Sequence, residues 1–125
     1  AGVNAIIIPE KESALITSES VKSSAGALNY MPICKVKSLK NIAQELKNSG
    51  LKIISCTEKG EKNIYAIKYK GPVCIILGSE KDGISQNLLD VSDVSVKIPM
   101  LGRIDSLNVS TSSAVILYEL VRQNS

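Results

Sequence analysis

The apolar positions of this chain fall into short runs separated by polar turns. Asn4-Ala5-Ile6-Ile7-Ile8 opens the pattern and is stopped by Pro9. A continuous β-branched run bounded by Gly and Pro predicts a strand covered on both faces, as in a parallel sheet. Further strands are predicted at Ile33–Lys37, Leu51–Cys56, Val73–Leu77 and Val94–Ile98, whereas Ile64–Tyr69 alternates like an edge or hairpin segment. Leu39, Ile42, Ala43 and Leu46 recur at i, i+3, i+4 and i+7, which predicts a helix, with Ser38 to cap its start and Gly50 to end it. An irregular helix is predicted within Ser13–Leu28 and a short helix or turn within Ile84–Val91. Asn108–Arg122 closes the chain as a helix. Its Ala114, Val115, Leu117, Tyr118 and Val121 cover most of the circumference, so it is expected to be buried or at an interface. Strands alternating with helices predict an α/β fold, a mostly parallel open sheet with helices on both faces.

A length of 125 residues suits one domain, residues 1–125. With four tyrosines and no Phe or Trp, its core must be built from Ile, Leu, Val and Ala. No apolar run approaches the ~20 residues of a membrane-spanning helix, so no membrane role is expected. No secretory signal opens the chain. Gly2 stands where a glycine ends a helix, and no Met precedes it, so the chain is expected to begin in the middle of an α/β unit.

Charge divides the chain. Residues 1–70 hold eleven lysines against six acids, and residues 71–125 hold four basic residues against six acids. A basic half beside an acidic half suits one face that meets phosphates, although scattered lysines also simply solvate a surface. Cys34, Cys56 and Cys74 are far apart, no CxxC is present, and the chain has no histidine. A zinc site, a Cys–His nucleophile pair and a histidine base are therefore excluded, and no metal is expected. The cysteines read as buried free thiols of a reducing compartment, the cytoplasm.

In parallel sheets ligands sit beyond the carboxyl ends of strands, where loops lead into helices. Two such loops stand out. In Val73-Cys74-Ile75-Ile76-Leu77-Gly78-Ser79-Glu80-Lys81-Asp82-Gly83-Ile84, the glycines have the spacing of a nucleotide-triphosphate loop, but Ile84 occupies the place of its lysine. Triphosphate binding is rejected on that ground, and no GxGxxG is present. What remains is a glycine-flanked turn presenting Glu80. In Ile98-Pro99-Met100-Leu101-Gly102-Arg103-Ile104-Asp105-Ser106-Leu107-Asn108-Val109-Ser110, three polar side chains, Ser106, Asn108 and Ser110, gather before a helix that needs only one cap. The tract Thr57–Asn63 reads as a polar surface loop and nothing more.

The pair VCIILGSEKDGIS and IPMLGRIDSLNVSTSSAVILYE resembles the second and third signature motifs of the SpoU (TrmH) RNA ribose 2′-O-methyltransferases, in order and in spacing. The stretches AGVNAIIIP and SSAGALNYMPICKV are similar to the same family's middle region. The resemblance implies an α/β-knot fold, with a C-terminal segment threaded as a trefoil, an arrangement that periodicity does not suggest. It implies S-adenosylmethionine as cofactor, held by Gly78, Ile98 and Leu107 with Met100 and Gly102 of the same loop. It places Glu80, Ser106 and Asn108 at the family's polar active-site positions. It further implies an RNA substrate (ribosomal RNA ahead of transfer RNA) and a homodimer paired through the last helix.

Two departures qualify that resemblance. Lys81 follows the motif-two glutamate where the family commonly has Gly. The family's first motif, an Asn-Gly strand end followed by a helix bearing an arginine, has no counterpart here, and neither Arg103 nor Arg122 matches its position. The chain is therefore expected to hold the cofactor pocket without the full catalytic set, and to be inactive alone. The alternative to an enzyme is a module of the same fold that binds RNA or S-adenosylmethionine without chemistry. A receiver-type domain would need clustered acids at the end of its first strand, and Ile6–Pro9 offers none before Glu10.

Overall fold

A computed structural model describes residues 1–10, 31–79, 82–104 and 107–125. The helix expected within Ser13–Leu28 lies outside the described residues. The chain divides into two compact units, residues 2–42 and residues 43–125.

In the first unit, β1 (Ile6–Pro9) and β2 (Ile33–Val36) pair in parallel, from Ile6↔Ile33 to Pro9↔Val36. The ladder is extended by N–H groups of Ile6 and Glu10 donating to the carbonyls of Pro32 and Val36, both at 2.9 Å. The strand expected to be covered on both faces is only half-buried, and Ile6 is exposed. Helix α1 (Leu39–Asn48) crosses the boundary between the units. Ser38 caps it, its Oγ accepting the Asn41 N–H at 3.2 Å. Gly50, at φ +102°, turns the chain out of the helix, and the Leu51 N–H returns to the Leu46 carbonyl at 3.0 Å.

The second unit holds a four-stranded, wholly parallel sheet. Its strands are β3 (Lys52–Cys56), β4 (Lys62–Asn63), β5 (Val73–Leu77) and β6 (Val94–Lys97), in the spatial order β4-β6-β3-β5. Strand β3 pairs with β5 from Lys52↔Val73 to Cys56↔Leu77, and with β6 from Ile54↔Val94 to Cys56↔Val96. From β3 the chain passes first to β4, two places away on one side, then crosses to β5 on the other side of β3 and returns to β6, between β3 and β4. Such a reversal opens a crevice at the carboxyl ends of the strands. Each predicted strand here lies within one residue of its observed bounds, apart from Ile64–Tyr69.

That segment is not a strand. Only Lys62–Asn63 pair with β6, and the chain then tightens into a 3-10 turn at Ile64–Ala66, capped by Asn63 Oδ1 accepting the Tyr65 N–H at 2.9 Å. Burial chooses this course. Ile64, Ile67 and Tyr69 turn inward while Tyr65, Ala66 and Lys68 face out, a spacing of three then two that no flat strand provides. Ile64, Ile67 and Tyr69 join Ile54, Cys56, Val96 and Ile116 in the core.

Helix α2 (Gln86–Val91) starts at Ser85, whose Oγ accepts the Leu88 N–H. It ends at Ser92, whose hydroxyl donates to the Leu88 carbonyl and shares a short hydrogen bond with buried Ser55. Asp93 then locks this turn to β3: its Oδ2 accepts the Ile53 N–H at 2.7 Å and its own N–H donates to the Ile53 carbonyl at 2.8 Å. Lys47 approaches the same carboxylate at 3.5 Å.

Helix α3 (Val109–Gln123) does not bury its whole circumference. Ile116 and Glu119 are buried, but Ala114 and Tyr118, one turn apart, are exposed. Its end is fastened by side chains. Gln123 accepts the Tyr69 N–H at 3.0 Å and donates to the Ile67 carbonyl at 2.9 Å, and Asn124 donates to the Tyr69 carbonyl at 2.9 Å. Among the described residues, no helix is long and apolar enough to cross a membrane.

Candidate functional site

The carboxyl ends of β3, β5 and β6 border a cleft of about 830 Å³. Cys56 and Leu77 end two of the strands at its floor, Ile98 and Met100 follow the third, and Leu107, Val109 and Ser112 close it from the start of α3. Local geometry shapes its rim. Ser79 and Gly83 bond reciprocally, Gly83 N–H to the Ser79 carbonyl at 2.9 Å and Ser79 N–H to the Gly83 carbonyl at 3.3 Å. This folds the loop after β5 back onto Gly78, where a Cβ would stand 2.6 Å from the Gly83 carbonyl carbon. Only glycine fits, and backbone is left bare at the cleft.

The polar tract after β3 is part of the same site, contrary to its reading as a mere surface loop. Thr57, Glu58, Lys59 and Glu61 line the cleft. The tract is stapled to β6: the Thr57 N–H donates to the Val96 carbonyl at 2.9 Å, and the Glu61 N–H donates to Ser95 Oγ at 3.2 Å. Gly60 is buried against that strand. The glycine within a polar run was the available signal, since an interior Gly often marks a close backbone approach. Polarity alone pointed to solvent.

Acids outnumber bases around the cleft. Glu58, Glu61, Asp82, Asp90 and Asp93 line it, with Lys59 as its single cation among the described residues. This lining favours a ligand with positive charge. Cys56 is also there, but burial pushes its thiol above the usual range, so it is neutral and a poor nucleophile. Cys74 is shifted the same way by the same cause. Cys34, expected to be buried, is exposed. No cluster that could hold a metal occurs among the described residues.

Of the positions singled out in the sequence, Gly78, Ile98, Met100 and Leu107 meet at this cleft. Gly102 lies instead in an adjoining cleft of about 330 Å³, together with Ile98 and Met100. Glu80 and Ser106 lie outside the described residues. Asn108 is the N-cap of α3, its Oδ1 accepting the Thr111 N–H at 2.8 Å.

The profile of the SpoU rRNA Methylase family matches residues 1–118. The chain belongs to that family. The chain is 35% identical over its whole length to a 23S rRNA (guanosine-2′-O-)-methyltransferase RlmB from Ralstonia nicotianae, of which it covers 50%. It is 37% identical, over 98% of its length, to the RlmB of Xanthomonas axonopodis pv. citri, of which it covers 49%. It thus spans about half the length of the curated relatives it matches. Among solved structures it resembles the SpoU methyltransferase AviRb from Streptomyces viridochromogenes in complex with AdoMet. The TM-score is 0.86 at 27% identity, covering 98% of this chain and 48% of that one.

Proposed function

We propose that residues 1–125 form the S-adenosylmethionine-binding catalytic domain of an enzyme that methylates a ribose 2′-hydroxyl of RNA, ribosomal RNA ahead of transfer RNA. The convergence of Gly78, Ile98, Met100 and Leu107, from separate stretches, on one cleft at the reversal point of a parallel sheet carries this reading. The residues fit the cofactor. A volume of about 830 Å³ lies within the range of small-molecule pockets, the aliphatic walls suit adenine, and the carboxylates suit a cation.

When bound, S-adenosylmethionine supplies a methyl group already activated by a positively charged sulfur, which removes the need for a metal. Ile98, Met100 and Leu107 give the site its aliphatic walls. The bare backbone at Gly78 lets a ligand approach closely, and Glu58, Glu61 and Asp82 attract positive charge. The ribose hydroxyl must lie in line with the methyl, and a neighbouring group must take or share its proton. Glu80, Ser106 and Asn108 are assigned to hold it. Asn108 Oδ1 already serves the helix cap, so its amide N–H groups are what it offers a substrate.

The finer features of the family extend this reading. The segment beyond β6 forms the trefoil of the α/β knot, and two copies pair through α3, where Tyr118 and Ala114 are exposed. The three free cysteines suit the cytoplasm.

The capping use of Asn108, together with the absence of histidine, favours a second reading, a cofactor-binding module without chemistry. Tritiated-methyl transfer to protein-free ribosomal RNA separates the two. The assay compares the 125-residue chain with a chain that also carries the family's first motif. Transfer by the longer chain alone is expected. Transfer by neither, with S-adenosylhomocysteine still bound, establishes the non-catalytic module.

A further inference from the structure

From Lys62 to Ser79 the chain holds three lysines and no Asp or Glu. Burial sorts the first part of this stretch. Ile64, Ile67 and Tyr69 enter the core, whereas Lys62, Tyr65, Lys68 and Lys70 face solvent. The main chain that carries them is fixed at both ends. Lys62 and Asn63 pair with β6, and Gln123 and Asn124 hold the backbone of Ile67 and Tyr69. A fourth cation joins the row, since Lys52 Nζ donates to the Lys68 carbonyl at 3.4 Å. The ion pairs among the described residues are Lys47–Asp93 and Arg122–Glu119, so none of these four lysines is paired with a carboxylate there. Tyr69 gives its hydroxyl to the Ile64 carbonyl inside the core, but Tyr65 is 55% exposed and presents its ring to solvent.

We propose that this outward row binds a single-stranded segment of the RNA substrate, with Lys52, Lys62, Lys68 and Lys70 on phosphates and Tyr65 stacked on an unpaired base. The proposal rests on RNA being the substrate. The row begins beside the larger cleft, because Glu61 lines that cleft and Lys62 follows it in the chain. It ends next to Lys52, at the amino end of β3. RNA that passes the cleft can therefore continue along it.

Charge requires such a surface outside the cleft. Five acids and one lysine line the cleft among the described residues, and that lining repels phosphate. A polyanionic substrate must be drawn by cations placed elsewhere, and an acid-free row at the rim supplies them. The ring of Tyr65 narrows the partner further. A surface aromatic stacks on bases that are not enclosed in a helix, which favours loops and single strands over duplex. An acidic protein surface would satisfy the lysines and leave the ring without a partner.

The test is fluorescence anisotropy of the 125-residue chain with a labelled oligouridylate of about twelve nucleotides, followed across salt concentration. Lys68→Gln combined with Lys70→Gln is expected to weaken binding. It should also lower the slope of log K against log salt by about 1.4, two phosphate contacts on a single strand. Lys37→Gln combined with Lys40→Gln removes the same charge from exposed positions elsewhere and should leave the slope in place. Tyr65→Ala should weaken binding about tenfold or more without changing the slope, and Tyr65→Phe should bind like the wild type. Equal losses in the two lysine pairs, no loss in the Lys68 and Lys70 pair, or wild-type binding by Tyr65→Ala would overturn the proposal. So would duplex RNA that binds as tightly as the single strand. Polyglutamate that binds equally well through the same lysines overturns it in favour of an acidic protein partner. No methyl donor is present, so these failures leave the larger cleft as it stands. S-adenosylhomocysteine that fails to bind, while the oligouridylate binds as expected, defeats the cleft and not the row.

Discussion

A Cβ placed on Gly60 would stand 2.2 Å from the carbonyl carbon of Val96 and 2.6 Å from the Lys97 nitrogen. The loop after β3 therefore lies directly on the backbone of β6, and both segments that carry cleft residues are held at one separation. Gly60→Ala is expected to cost about 1–3 kcal/mol, because backbone must move to admit the methyl. Gly102, where an added Cβ meets nothing within 4 Å, is the control, with an expected change under ~0.5 kcal/mol on substitution by Ala. Urea unfolding of the two variants measures the difference.

Asp93 joins the turn after α2 to β3 through a carboxylate that imitates a strand partner for Ile53. Asp93→Ala should destabilise the chain by about 1–3 kcal/mol by orphaning the Ile53 N–H. Asp93→Asn keeps an acceptor and should cost less. Amide exchange at Ile53, accelerated in Asp93→Ala and little changed in Asp93→Asn, reads the mechanism directly.

The strands of the second unit were legible because each is a continuous apolar run bounded by turn residues, and α1 because its period and both caps agree. Ile64–Tyr69 misled because a 3-10 turn with two inward residues beyond it imitates alternation over six positions. For α3, expected to be buried or at an interface, composition does not reveal that within the chain Glu119 turns inward, held by Arg122 and Gln123, while Tyr118 turns out. At the cleft, Gly78, Ile98, Met100 and Leu107 were found through motifs. Thr57–Glu61 was missed because its contact with β6 runs through main chain, which leaves little mark on residue type.

Tyr69 is buried and its hydroxyl donates to the Ile64 carbonyl at 2.6 Å. Burial, helped by the negative charge of neighbouring groups, pushes its pKa from 10.0 up to about 12. Below the unfolded value the phenol is protonated in both states and its contribution to stability is complete. As pH rises from 10.0 toward 12, the unfolded chain ionises first and that contribution is lost. The difference in stability between the wild type and Tyr69→Phe should therefore be flat to about pH 10 and shrink above it. Chemical denaturation across that range measures it.

Glu119 titrates in the opposite sense. Hydrogen bonds from Arg122, joined by one from Gln123, hold its carboxyl below the usual range against the opposing effect of burial. Its contribution is present above the unfolded carboxylate pKa and is lost as pH falls through the lower folded value. Glu119→Gln should flatten the acid limb of the stability profile followed by circular dichroism.

Capping and chemistry at Asn108 separate by substitution. Asn108→Ser keeps an N-cap and should leave stability almost unchanged, whereas Asn108→Ala should lose about 1 kcal/mol. If the side chain also holds the ribose, Asn108→Ser lowers methyl transfer while the melting curve stays in place.

Titration of the 125-residue chain with S-adenosylhomocysteine by isothermal calorimetry tests the cofactor cleft most directly, with Leu107→Glu run beside the wild type. Leu107 is a half-buried wall of the cleft just before α3, so a carboxylate there removes apolar contact from the adenine site without entering the core. Saturable one-to-one binding by the wild type, with none by a Leu107→Glu variant of unchanged circular dichroism, is the expected result. No binding by the wild type, or equal binding by both proteins, would contradict the assignment of this cleft to S-adenosylmethionine.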